Sequence, residues 1–227
     1  MKDKVDLKQF KVIENFIITA FITATSLFIL LLFFARWPGW WELTIPELSP
    51  MTWIESLILF SIAFVGCLIV MLCYLKKDFV KLKWWGIFTF GFLYLTLDER
   101  FALHERIRDR LLAPHEIKIP LFFWTDYGDF IMLVFLITGI LFSIKLLRLL
   151  KERKAAYRWF IAGICFTALA VILDSFSFTE YSLELQRLQQ FGEEVLEVCG
   201  MLSFFSSTFL IFNCYLQKLL GLRINND

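Results

Sequence analysis

Histidine is nearly absent from this chain: His104 and His115 are the only two in 227 residues. That supply excludes a His-rich zinc site and confines imidazole chemistry to two positions. Cysteine is no better as a ligand source, because Cys67, Cys73, Cys165, Cys199 and Cys214 lie inside apolar runs and show no Cys-x-x-Cys spacing. They read as small buried hydrophobes, neither disulfides nor thiolate ligands. Repeats and low-complexity linkers are missing too, so a single domain over residues 1–227 is the natural count. No small-residue cleavage site follows the first apolar run, which is therefore expected to stay as a helix.

What the chain has in excess is apolar surface. It is 59% hydrophobic with 27 Phe, and its mean hydropathy is +0.67, more than a soluble domain could hide. Charged residues are confined to short segments between apolar runs, the pattern of a polytopic membrane protein. The expected fold is all-α, a bundle of about six transmembrane helices near 12–35, 51–75, 84–104, 120–144, 159–178 and 192–216. Trp37-Pro38-Gly39 closes the first span, and Trp40 and Trp41 favour the headgroup zone. Ser49-Pro50 supplies an N-cap and a first-turn proline for the second. The third passes through Asp98 into an amphipathic extension ending before Ala113-Pro114, and Pro120 opens the fourth. In the segment SLELQRLQQF, Leu185, Leu188 and Phe191 fall at helical spacing, which predicts a helix lying along the membrane surface.

Charge sets the orientation. With an even number of spans, sixteen of the 23 Lys and Arg share one face with both termini, whereas sixteen of the 22 Asp and Glu lie on the other. Basic residues near span ends are retained in the cytoplasm, so both termini are expected inside and the acidic face outside.

Four segments bring carboxylates to that acidic face: LDERFALHERI, TDYGDF, LDSF and FGEEVLEVCG. The candidate ligands they supply are Asp98, Glu99, His104, Glu105, Asp129, Asp174, Glu194 and Glu197. On one unbroken helix Asp98 and Glu105 share a stripe, while Glu99 and His104 point elsewhere. Glu197 lies one turn after both Glu193 and Glu194, so either can pair with it. Gly200, a turn further, admits a close neighbour. Ionisable groups at such depth cost roughly 2.5 to 3.5 kcal/mol each to insert, and several anions cannot share a low-dielectric bowl without cations or protons. One reading is an ion-paired outer rim served by Arg100, Arg106, Arg108 and Arg187. The sharper one is a divalent-metal site of carboxylates with one imidazole, His104 first and His115 second. These donors do not separate calcium, magnesium, manganese, iron and zinc.

The pairing of Asp98-Glu99 with His104-Glu105 at one helix end, Asp174 closing a later span, and Glu193-Glu194-x-x-Glu197-x-x-Gly200 opening the next resembles a group of uncharacterised bacterial multi-pass membrane proteins. The likeness covers about residues 84 to 216. It implies a bacterial inner-membrane setting and a six-helix shape, with no assigned activity; Asp174 stands where that group has Glu. Membrane zinc hydrolases of the ceramidase and receptor-like type take three His with Asp and Ser, which two His cannot supply.

The functional expectation is a cation-binding bowl facing outward. Three alternatives stand beside it: a metal-dependent hydrolase acting on a lipid, a proton or cation transporter, and a sensor or assembly subunit without metal. Membrane lipids are the expected partners and nucleic acid is not, with homo-oligomerisation left open.

Overall fold

The computed structural model describes residues 7–46, 48–122, 125, 127–128, 130–176 and 181–222. Among them the chain is all helix and turn. Its helices are α1 (Leu7–Ala35), α2 (Pro50–Leu75), α3 (Phe79–Phe101), the short α4 (Leu103–Ile107), α5 (Phe130–Leu150), α6 (Lys154–Asp174) and α7 (Leu183–Leu219). Five of these, all but α3 and α4, are long and apolar enough to cross a membrane. At 23 residues and ~35 Å, α3 is long enough. Its Trp, Thr, Gly and Tyr content and its terminal Asp98-Glu99-Arg100 leave it less apolar.

Local chemistry explains the boundaries. Ser49 caps α2, its Oγ accepting from the Met51 and Thr52 amides, and Pro50 occupies the first turn, where its missing N–H is harmless. Asp78 does the same for α3 by accepting from the Lys81 amide at 3.1 Å. The fourth span starts later than Pro120 predicts: Pro120–Phe122 forms only a 3-10 turn, and α5 begins at Phe130. The segment SLELQRLQQF is not a separate surface helix; it forms the first turns of α7, which runs unbroken for 37 residues. No proline or capping residue interrupts Leu183 to Glu194, and Gly192 alone costs roughly 1 kcal/mol, too little to break so long a helix.

Helices α2 and α7 form the buried centre, α2 lying against α3 and α7 against α6. Two close approaches set these pairs. A Cβ at Gly200 would come within 2.6 Å of Thr167 Oγ1, and one at Gly66 within 2.5 Å of Thr89 Oγ1, so both helix pairs pack closer than any larger residue permits. Outward faces are apolar, with Phe16, Leu31, Phe34, Phe64, Phe90 and Leu141 all exposed on long helices. Such surfaces suit lipid.

At the end of the bundle that carries most of the basic residues, a buried ion pair ties α1 to the rest. Arg153 donates to both Glu14 oxygens and to the Leu210 carbonyl, and Asn213 donates to Glu14 Oε2 at 3.1 Å. Nearby, Glu152 bridges Lys81 and Lys218.

Candidate metal centre

α2 and α7 begin at the opposite end and α3 and α6 finish there, so the tips of four helices converge. A cavity of about 430 Å³ opens between them. Asp98, Glu99, His104, Glu105, Asp174, Glu194 and Glu197 all line it, as does Glu193. Asp129, also expected as a ligand, lies outside the described residues.

Geometry corrects the helical-wheel placement of His104. α3 does not run on through it: Ala102 adopts a left-handed conformation at φ 47°, its amide bonded to the Asp98 carbonyl, and α4 starts afresh at Leu103. A residue with a Cβ pays roughly 1–2 kcal/mol for that conformation. The break resets the helical phase and folds His104 back over Asp98. Asp98 Oδ1 accepts the His104 amide at 2.8 Å, and Oδ2 lies 2.8 Å from His104 Nδ1. An ionised Asp98 can only accept, so Nδ1 carries a proton; in the neutral form of the ring the lone pair is then on Nε2, the arrangement that orients a metal-binding imidazole. Asp98, itself buried, therefore acts through His104.

A residue that the motif reading passes over meets two of these carboxylates without itself lining the cavity. Glu55 on α2 is completely buried, and neither of its oxygens has a hydrogen-bond partner of acceptable geometry, although the Glu99 carboxyl is a close neighbour. One ligand atom from each of Glu55, Glu194 and Glu197 lies within 4.8 Å of the other two, whereas Asp98, Glu99, His104, Glu105 and Asp174 line the cavity without joining that group. Of the two glutamates one turn before Glu197, Glu194 is the one that joins this group. An acid inside an otherwise uncharged 26-residue apolar helix is itself a signal. Its position near the start of α2 makes it look like a rim charge when only the sequence is read.

Other candidates are engaged elsewhere. Glu105 Oε1 lies 3.3 Å from Arg108, which also holds Asp109. Arg187 stacks 3.6 Å above the Trp41 ring, joining the 3-10 turn Trp40–Leu43 to α7, and Trp40 packs edge-on to Phe191. His115 is exposed, its Nδ1 bonded to the Leu111 carbonyl, and it does not line the cavity. Chemically, the trio offers three carboxylates, and the adjoining cavity adds further carboxylates and one imidazole oriented by Asp98.

The chain belongs to the family described as Domain of unknown function (DUF8692), whose model matches residues 24–212. That stretch contains every residue of the centre. No curated protein and no solved structure matches it.

Proposed function

We propose that this protein is a multi-pass membrane protein that binds a divalent cation through Glu55, Glu194 and Glu197, with His104, which lines the same cavity outside that trio and is positioned by Asp98, moving in as a nitrogen donor when the ion binds. Glu55 carries the reading. Were all three carboxylates ionised, each pair within 4.8 Å would repel by at least roughly 3.5 kcal/mol at an effective dielectric near 20, so the group needs a proton or a cation among its members. Among the described residues no Lys or Arg forms an ion pair with Glu55. A bound divalent ion answers that repulsion and supplies the missing partner at once. Hard oxygen donors with one imidazole suit magnesium, calcium, manganese or iron, and resemble the carboxylate sites built from facing helices in bundles.

The wider setting rests on charge and resemblance. Counting α3 as a sixth span puts both termini on the basic side, which the retention of Lys and Arg makes cytoplasmic. The centre then opens outward from a bacterial inner membrane.

Elemental analysis of the purified full-length protein tests the reading. About one equivalent of a divalent metal is expected, lost in Glu55→Gln and Glu197→Gln. Purified folded protein that neither carries such a metal nor takes one up overturns it.

A further inference from the structure

The cavity has two halves of opposite character. Position along each helix gives depth, because α2 and α7 start at the acidic end and α3 and α6 finish there. At that end lie the carboxylates and His104. One to three turns deeper, the same cavity is walled by Leu59 of α2, Phe92 of α3, Val171 of α6, and Met201 and Phe204 of α7, with Thr167 of α6 the polar side chain among them. From Glu194 to Phe204, α7 rises ~15 Å. A cation needs oxygen donors and water, and gains nothing from a phenylalanine and methionine floor; apolar walls of this extent fit an apolar group.

The lipid side of the cavity is lightly built. α5 lines it with Ile131 and Met132, but packs mainly on α6. It meets α3 chiefly ring to ring, Tyr94 on Phe135 at 5.9 Å and Trp84 on Phe142 at 5.8 Å, without close backbone packing. The seam between α3 and α5 is thus closed by side chains with little backbone contact.

We propose that the cavity binds a membrane phospholipid, its phosphate on the cation held by Glu55, Glu194 and Glu197 and one acyl chain along Leu59, Phe92, Met201 and Phe204. The proposal rests on the cation reading above. The polarity agrees with a lipid in the leaflet at the acidic end, whose headgroup lies at the carboxylate level and whose tail runs toward the bilayer centre. Charge favours the cation: Arg108, the one Lys or Arg among the described residues that line the cavity, is already bonded to Glu105 and Asp109, so a phosphate entering this bowl of carboxylates is repelled unless a divalent ion bridges the two. An amphiphilic amine, the rival occupant, binds carboxylates directly and needs no metal.

The test uses the full-length protein in proteoliposomes containing a trace phospholipid with a photoreactive diazirine in its acyl chain. After illumination, labelled peptides are mapped by mass spectrometry, beside metal analysis of the same sample. Label is expected on the segments holding Phe92 and Met201–Phe204, lost on chelation and restored by magnesium or manganese. Met201→Trp narrows the floor and should reduce cavity labelling by about tenfold, equivalent to ~1.4 kcal/mol, with metal content unchanged. Leu95→Trp, at a partly exposed cavity position, repeats the test where Met201→Trp fails to fold. A protein that holds its metal but shows no cavity label overturns the lipid inference alone. Label that survives chelation overturns the bridged phosphate in favour of the amine. Absence of any metal defeats the cation reading, and the inference with it.

Discussion

Asp98 Oδ2 lies 2.8 Å from Nδ1 of His104 across a helix break in which Ala102 takes the left-handed conformation. Backbone strain is thus held where a carboxylate must meet an imidazole six residues on. Replacing an oriented second-layer carboxylate typically weakens metal binding by about 10–100-fold, and Asp98→Asn should fall in that range by titration calorimetry. Ala102→Gly should leave affinity unchanged and raise stability by up to ~1 kcal/mol, since glycine adopts this φ freely. A clear loss of stability in Ala102→Gly would show that the alanine methyl matters more than the strain.

For Glu55 the sign of the effect is the discriminator. With a cation bound, Glu55→Gln lowers thermal stability and abolishes protection by added metal, which at 100 times the dissociation constant is worth ~2.7 kcal/mol. Chelation of the unmutated protein should reproduce the loss. If the carboxylates repel one another with no ion between them, the same substitution raises stability instead. Glu105, paired with Arg108, should matter less: Glu105→Gln is expected to cost ~0–1 kcal/mol and to leave metal content near normal.

The buried pair at the other end makes a separate prediction. Arg153→Ala leaves Glu14 charged, buried and uncompensated, and should cost about 3–5 kcal/mol in a denaturation series in detergent. The double variant Glu14→Gln/Arg153→Met removes both charges and should recover most of that. A double variant as unstable as Arg153→Ala would mean that the packing of α1, and not its charge pairing, decides the outcome.

Stability should also fall in acid through Glu152. Burial raises its carboxyl, but Lys218 and Lys81 more than offset that and hold it below the usual carboxylate range. A folded-state value below the unfolded one contributes stability that is full at neutral pH and is lost as pH falls through the folded value. The stability gap between the unmutated protein and Glu152→Gln should therefore be constant from about pH 7 to 5 and shrink below about pH 4.5. A gap independent of pH would remove Glu152 from the account.

No cation flux above empty liposomes is expected. α7 carries buried hydroxyls on its inner half, but Ser203, Ser206 and Thr208 donate to their own helix carbonyls and Ser207 to that of Ala156. Hydroxyls spent in this way serve close packing and line no hydrated path. A saturable flux lost in Asp98→Asn would make transport the leading function, and a C-terminal reporter active outside the cell would invert the orientation.

Much of this molecule is dictated by the chain locally. Apolar runs bounded by Ser49-Pro50 and by Lys76-Lys77-Asp78 make helices wherever they are placed, because an unsatisfied backbone in lipid is too costly. The alternation of those helices sends the acids of LDERFALHERI, LDSF and FGEEVLEVCG to one end, where seven of the eight expected residues line one cavity, although only Glu194 and Glu197 of them join the close group around Glu55. Three things are not local. Whether Ala102 continues α3 or breaks it depends on what Asp98 gains from His104, a contact that exists only after the break. Whether SLELQRLQQF lies on the surface or extends α7 depends on the neighbours that receive it, Trp40 and Trp41 among them. Glu55 becomes the centre of the site only because α2 lies between α3 and α7 and turns that residue inward; hydropathy records how far along a helix a charge sits, whereas only the packing of neighbouring helices decides which way it faces.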